Sequence, residues 1–308
     1  MNALEAWIWR SYATLTSRTW LILWAILLGA LLPAAHVASP ALRWLIMGML
    51  GLTFLGLKLN TASFRRSHLK LLFIPPLLGL VLGFALRPLG PEVALSLALV
   101  VLTPTATAAP VILGLLGRRA DYGAISVVGS NLFAAFYLPA VLAVITPAGV
   151  GNAERSASPW PLVAGTMITI FGPLIVALLV RRAAPAAARG RGRNTVSFTL
   201  WLGVLFLVSA QTSHFLRVSM QPPWSRVFVI IGLALVICLL QFRLGRRLGE
   251  ADADIEAGQC LGQKNTLLTI WIAMTWYSPL IALGPASYVL WHNLYNSWQL
   301  RRKPRDPG

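Results

Sequence analysis

Long runs of apolar residues, separated by short charged or Pro/Gly-containing segments, fill the chain from residue 19 to residue 300. A helix needs about 20 apolar residues to cross the hydrocarbon core of a bilayer. Ten runs are near that length, so the pattern predicts an all-α polytopic membrane protein with ten transmembrane helices. The predicted spans are Thr19–Val37, Ala41–Leu59, Leu69–Leu86, Pro91–Leu116, Tyr122–Thr146, Trp160–Val180, Thr195–Leu216, Val227–Gln241, Gly258–Ala282 and Gly284–Leu300.

Two of the ten spans are interrupted. The fourth contains Pro104 and Pro110, each of which removes a backbone donor and clashes with the preceding turn. The ninth contains the polar run 262–266, at a depth where polarity is expensive. Each interrupted span is the fourth span of its five-span half. Because five is an odd number, the second half would cross the membrane in the opposite orientation to the first. We therefore expect one transporter domain over residues 1–308, with inverted repeats at about residues 19–146 and 160–300 whose breaks cross near the midplane.

The basic residues alternate between the connecting segments. Twenty of the 26 Lys and Arg fall on one side of the ten-span arrangement and five on the other, with Lys264 inside a span. Cytoplasmic loops carry the excess of basic residues, so both termini are predicted to be cytoplasmic. Arg outnumbers Lys 22 to 4, which is typical of GC-rich bacterial coding and suggests the inner (plasma) membrane.

A cleaved signal peptide is the alternative interpretation of the first span. The small residues of segment 33–39 resemble a processing site. Removing the segment would leave nine spans and break the repeat symmetry, so we favour a retained span.

Composition excludes a soluble fold, because 57% of the 308 residues are hydrophobic and only 11% are charged. The net charge of +17 would suggest nucleic acid in a soluble protein, but here the basic residues mark topology. The expected partners are the lipid bilayer and a small-molecule solute, not nucleic acid; the pattern does not indicate an oligomeric state. Cys238 and Cys260 have neither disulfide nor metal-ligand spacing.

Residues for enzymatic chemistry are not arranged as catalysis requires. Every Asp and Glu falls in a loop or at the end of a span, which argues against a carboxylate proton relay and against paired-carboxylate hydrolysis. A Ser–His pair or a His-Glu-x-x-His helix, which a membrane protease needs, is also missing. We therefore expect that the protein is not an enzyme and has no metal site.

Lys264 is the most informative single residue, because an ammonium group inside a span is expensive unless it faces water or a partner. It could line a polar cavity with Gln263, Asn265 and Thr266, where it would hold an anion or exchange a proton. Alternatively, free carbonyls of the broken helix cap the ammonium group and hold the two halves together. Both interpretations can be true at once.

Other polar residues in the spans give weaker signals. Ser126 and Ser130 lie four apart on one helical face, beside Asn131, although such residues commonly bond a neighbouring helix. His292 and Asn293 in the tenth span could form a buried proton site, but an interhelical hydrogen bond is the commoner use of a lone histidine. The group Gln211, Thr212 and His214 favours an interfacial position.

Several motifs together resemble the bile acid:sodium symporter family, in the superfamily of arsenite permeases and auxin efflux carriers. Segment 51–58 with Phe-Arg-Arg at 64–66 resembles that family's second span and following loop. Segment 104–111 stands where the family has P-G-G-T-A-S-N-V, and 121–131 where it has an N-V-A-L-S helix. Segment 262–266 matches G-x-Q-N-S/T, and 291–293 matches W-H-N.

The resemblance implies a panel of spans 1, 2, 6 and 7 and a core of spans 3–5 and 8–10, with alternating access, an organic anion as substrate and two sodium ions at the crossing. The sequence departs from the family pattern there. Ala109 and Pro110 replace a Ser-Asn pair, Cys260 replaces a Glu, and Lys264 replaces a Gln. The third-span Gln has no counterpart. The sodium sites therefore look dismantled.

The function we expect is secondary active transport of a small organic anion, symporter-like but with altered or sodium-independent coupling, in which a proton is possible. The alternatives are an exporter like the auxin carriers and a membrane sensor or scaffold without transport. The candidate substrate-binding residues are Thr105, Thr107, Asn131, Lys264, Asn265 and Thr266. The candidate residues of a coupling-ion or pseudo-ion site are Ser126, Ser130, Cys260, Gln263 and Lys264.

Overall fold

The computed structural model describes residues 21, 24–56, 61–151, 160–185, 193–218 and 224–302, and these residues form helices without a strand. The helices are α1 (24–31), α2 (Ala41–Gly56), α3 (Arg66–Ala85), α4 (Pro91–Leu102), α5 (Ala109–Leu115), α6 (Ala120–Ile145), α7 (Trp160–Ala183), α8 (Arg193–Val218), α9 (Trp224–Leu248), α10 (Asp254–Gly262), α11 (Thr266–Trp276) and α12 (Pro279–Arg302).

Five of the described helices are long and apolar enough to cross a membrane, within α3, α6, α7, α8 and α9. Three shorter apolar helices, α2, α4 and α11, add to them. Large apolar side chains on the long helices point outward, including Phe73, Phe136 and Leu240. Because water would disfavour so much exposed apolar surface, these helices identify a multi-pass membrane protein.

Several predicted boundaries were wrong. The first span was expected to run to Val37, but its α-helix ends at residue 31 and is followed by a 3-10 helix, Pro33–Ala38. The eighth was expected to end at Gln241, but α9 continues to Leu248. The ninth was expected to end at Ala282, but α11 ends at Trp276 and α12 already begins at Pro279. A proline suits the first helical position, because its missing N–H would have no partner there.

The chain divides into two compact units, and the first comprises residues 1–49 and 191–222. In this unit α1 approaches α8 so closely that a Cβ on Gly29 would lie 2.2 Å from the carbonyl oxygen of Phe206. The hydroxyl of Ser213 donates to the carbonyl of Ala30 at 2.7 Å. The rings of His36 and His214 stack at 3.6 Å between centroids.

The second unit comprises residues 50–190 and 223–308. Its helices α4, α10 and α11 are almost fully buried, and glycines permit their close packing. A Cβ on Gly262 would lie 2.3 Å from the Phe242 ring, and one on Gly284 would lie 2.7 Å from the Ser96 carbonyl oxygen. Small residues at such contacts are typical of helix packing in membranes.

Charged and polar contacts join the first turns of α3, α6 and α10 to the segment between α9 and α10. The Arg119 guanidinium pairs with Glu256 at 3.2 Å and with Asp252 at 3.1 Å. Glu256 is buried, although the sequence had placed it in a loop or at the end of a span. Both the N–H and the hydroxyl of Ser67 donate to the Glu250 carboxylate.

Candidate functional site: the crossing of two broken helices

The two interrupted helices meet at their breaks, as the sequence predicted. The chain is non-helical between α4 and α5 and again between α10 and α11. The Ala106 N–H donates to the Gln263 carbonyl, and the Asn265 N–H donates to the Pro104 carbonyl, both at 2.8 Å. Thr105 and Lys264 thus face each other as an antiparallel bridge. Each break supplies partners for backbone groups that its own helix leaves free.

The local sequence explains the first break, but the two prolines of this span lie in different positions. Thr103, the residue before Pro104, is extended with φ −61° and ψ 130°, because a following proline disfavours the α conformation. Pro110, however, lies inside the first turn of α5, where a missing N–H costs little. Pro110 therefore does not lie in the break itself but belongs to the start of the helix that follows it.

Polar side chains on one face of α6 form hydrogen bonds with both breaks. The Ser130 hydroxyl accepts a hydrogen bond from the Thr105 N–H at 3.0 Å. The Asn131 amide donates to the Thr105 carbonyl at 3.0 Å and accepts from the Asn265 amide at 3.0 Å. The face that the sequence indicated on this helix is thus directed at both breaks.

The Lys264 side chain is buried, with 2% exposure, and its amino group donates to the Val101 carbonyl at 3.2 Å. Val101 is in the last turn of α4, where carbonyls lack an intrahelical donor. Among the described residues, no carboxylate lies within 4.0 Å of this amino group. The structure therefore contains the carbonyl contact that one interpretation of Lys264 predicted, without a neutralising partner.

A cavity of about 10 Å³ lies against Lys264, which is room for about one water molecule. Hydroxyl-bearing side chains from the break between α4 and α5 and from α6 contribute to its wall. The lining residues are Leu71, Leu72, Pro75, Thr103, Pro104, Thr105, Ser130, Tyr137, Cys260, Leu261 and Lys264. In this conformation the crossing is closed around a very small polar space.

The other residues that the sequence predicted for the site do not line this cavity. Thr107 is half-buried in the turn before α5 and does not line it. The Gln263 side chain accepts from Gln259 on its own helix. Thr266 is buried at the first turn of α11, and the Ser126 hydroxyl lies beside the Cys260 thiol. The structure thus brings Thr105, Ser130, Cys260 and Lys264 around the cavity, with Asn131 and Asn265 bonded behind it.

Three further residues at the crossing were not anticipated. The hydroxyls of Thr103 and Thr269 bond each other at 2.8 Å, and the Tyr137 hydroxyl donates to the Leu102 carbonyl. Tyr137 lies seven residues after Ser130, which puts it on the same helical face, and this spacing could have identified it. The Thr103–Thr269 contact joins residues 166 apart, and nothing in the local sequence marks it.

A second, larger cavity of about 270 Å³ lies where α4, α9 and α12 begin. Glu92 and Arg226, which both line it, form an ion pair with each other. Tyr277 and Ser278 also contribute to the wall. None of the residues predicted from the sequence is in this cavity.

A helical multi-pass fold with two hydrogen-bonded helix breaks around a buried polar cavity is the arrangement of a membrane transporter. The sequence model of the Sodium Bile acid symporter family matches residues 65–221, which is half of the chain, and the protein belongs to this family. No individual curated protein matches its sequence.

Two carbonyl oxygens at the crossing that could bind a cation already accept hydrogen bonds. The Thr105 hydroxyl donates to the Cys260 carbonyl at 2.8 Å, and the Val101 carbonyl already accepts from Lys264. A thiol stands at position 260, where the family resemblance implies a carboxylate.

Proposed function

We propose that the protein is a secondary active transporter that moves a small organic anion by alternating access, without sodium coupling. The observation that carries this proposal is the buried Lys264 amino group at the crossing, which has a carbonyl partner but, within the part of the chain that the structure describes, no carboxylate partner. A buried cation without a counter-charge is costly, and an anionic solute would supply the missing charge.

The helix geometry beside Lys264 also favours an anion. The helix α11 begins at Thr266, two residues after Lys264, and the N-terminal end of a helix carries partial positive charge. The cavity wall adds the hydroxyl groups of Thr103, Thr105 and Ser130, which would leave their present carbonyl acceptors to donate to an oxygen atom of the solute. The anionic group of the solute would bind between these donors and the lysine.

We further propose that ten spans form two inverted five-helix repeats. A long helix, a broken helix and a second long helix occur in this order twice, as α3, α4–α5 and α6 and again as α9, α10–α11 and α12. Spans 1, 2, 6 and 7 would form the panel and spans 3–5 and 8–10 the core. Rocking of one against the other would expose the crossing alternately to the two sides.

The coupling mechanism follows from the position of the lysine. A sodium ion placed about 4 Å from the Lys264 ammonium group would be repelled by about 4 kcal/mol at an effective dielectric constant near 20. The ammonium group would take the electrostatic place of the ion. If it releases its proton in one orientation of the transporter, the proton gradient drives uptake.

The test is uptake by purified protein in proteoliposomes, screened over small carboxylates under sodium and pH gradients imposed separately. We expect uptake that is independent of sodium and follows the pH gradient. Lys264→Gln should abolish this pH dependence, whereas the matched change Lys70→Gln, at an exposed lysine, should preserve it.

Strong sodium dependence of the unmodified protein would contradict the proposed coupling. A folded protein that neither transports an anion nor gains thermal stability from one would instead support the sensor or scaffold function. Lys264-dependent thermal stabilisation by a solute separates these outcomes before any transport assay.

A further inference from the structure

A line of buried polar side chains lies between α9, α10 and α12, outside the cavity at Lys264. Tyr288, His292 and Asn296 are four residues apart on α12 and therefore share one face of that helix. Gln259 on α10 and Gln241 on α9 complete the group, and each of the five residues is at most 5% exposed. We call these five residues the polar seam.

Hydrogen bonds connect the polar seam to the second break. The Gln259 amide donates to Asn296 at 2.9 Å, and the Gln241 amide donates to the Tyr288 hydroxyl at 3.3 Å. The Tyr288 hydroxyl donates to the Gly262 carbonyl at 2.6 Å, at the last residue of α10 before the break. From Tyr288 to Asn296 the seam extends about 12 Å along α12, toward the end that carries Arg301 and Arg302.

The protein satisfies these side chains only in part. The Oε1 atoms of Gln241 and Gln259, the Nδ1 atom of His292 and the Nδ2 atom of Asn296 are buried and have no protein partner. Exchanging the nitrogen and oxygen of an amide moves an unmet atom but does not remove it. A buried polar atom without a hydrogen-bond partner is energetically costly in a membrane protein. Four such atoms along one seam therefore indicate that a bound molecule satisfies them.

The chemistry of the unmet atoms identifies that occupant. Two are carbonyl acceptors, one is an amide donor, and the imidazole nitrogen takes either role according to its tautomer. A cation would need acceptors alone and an anion donors alone. Water provides both roles and bonds two to four buried polar groups at once.

We propose that the polar seam holds a row of bound water molecules. This row connects the second break, at the Gly262 carbonyl, to the C-terminal end of α12. The seam contacts the break at the Gly262 carbonyl, which is not part of the wall of the cavity at Lys264. Solvent protons then have a route to the break that is separate from the solute's route. This proposal concerns hydration, and it stands whether or not the protein transports an anion.

Thiol labelling of the full-length protein in membranes tests the proposal, because small methanethiosulfonates react with thiolates formed in water. Cys238 and Cys260 are first replaced by Ala, and His292→Cys and Asn296→Cys are introduced separately. Two controls on the same helix are Val289→Cys, at an apolar residue that is 4% exposed, and Leu294→Cys, at a residue that is 60% exposed.

We expect both seam cysteines to react at least tenfold faster than both controls. Adding Gln259→Leu should slow the reaction of the cysteine at position 292 at least tenfold. Reaction of the seam cysteines as slowly as the controls, in protein that stays monodisperse with its melting temperature retained, would overturn the proposal.

If the cysteine variants fail to fold, radiolysis of the unsubstituted protein in oxygen-18 water provides the measurement. Bound water should label His292 and Tyr288 and leave the buried Phe54 unlabelled. Equal absence of label from all three would overturn the proposal.

Discussion

A single amide holds much of the crossing together. Asn131 donates to the Thr105 carbonyl in one break and accepts from Asn265 in the other. We predict that Asn131→Ala lowers the free energy of unfolding by about 1–3 kcal/mol, because it leaves buried backbone and amide groups unpaired. Thermal unfolding in detergent measures this loss.

The matched control for Asn131 is Asn293→Ala. The Asn293 amide donates at 2.7 Å to the carbonyl of Val289, four residues earlier in its own helix, and this contact joins no second element. Its replacement should change the melting temperature much less. Equal effects of the two substitutions would show that the bonds of Asn131 to the breaks add no stability.

Glu250, in the turn after α9, has a pKa that burial and hydrogen bonds from Ser67 shift in opposite directions. Burial alone would raise the pKa of this carboxyl group, but the Ser67 hydroxyl and N–H bonds hold its pKa below the usual value. A lowered folded-state pKa stabilises the fold above the unfolded-state pKa, and this stability is lost as the pH falls through the folded-state value.

We therefore predict that the melting temperature of the unmodified protein falls as the pH is lowered from about 6 to about 3, and that Glu250→Gln flattens this dependence. At pH 7 the variant should melt at a lower temperature. Glu92→Gln is the control, since the partly exposed pair with Arg226 contributes little. Identical pH profiles for Glu250→Gln and the unmodified protein would exclude this role.

At the scale of elements, the two prolines of the fourth span should behave differently. Pro104 is in the break, and its carbonyl accepts from Asn265, whereas Pro110 is in the first turn of α5. Pro104→Ala removes the constraint that keeps Thr103 extended, and we expect it to favour a continuous helix and to reduce solute uptake at least tenfold.

Pro110→Ala should leave uptake within about twofold, because proline is tolerated in a first helical turn. Both variants should reach the membrane at the level of the unmodified protein, as measured by immunoblot. Full uptake by Pro104→Ala would mean that the paired breaks persist without this proline.

The breaks were predictable because their causes are local. A proline or a run of polar residues inside an apolar span is visible in the sequence, and both features led to the crossing of Thr105 with Lys264. The end of the ninth span was missed because its apolar run continues beyond Trp276, and only Pro279 marks the new helix. Contacts between distant residues, such as that of Gln259 with Asn296, have no local cause, and they follow only from the packing of whole helices.

At the scale of the whole molecule, the distribution of basic residues predicts an orientation in the membrane. The helix α9 begins with Arg226 and ends with Arg243, Arg246 and Arg247. Its 25 residues span about 37 Å, which exceeds the hydrocarbon thickness of a bilayer. The basic cluster and the single arginine therefore belong to opposite faces of the membrane, and the basic-rich end is expected to be cytoplasmic.

This orientation predicts which loops a membrane-impermeant maleimide can reach. With Cys238 and Cys260 replaced, cysteines at Ala148 or Asn152 should label in intact cells, because the segment after α6 belongs to the basic-poor side. Cysteines at Ala187 or Gly190, in the arginine-rich segment after α7, should label only after permeabilisation. Ala148 is exposed, and the other three positions lie outside the described residues. Since a single span separates the two segments, labelling of both from the same side would exclude the ten-span arrangement and the inverted repeats that depend on it.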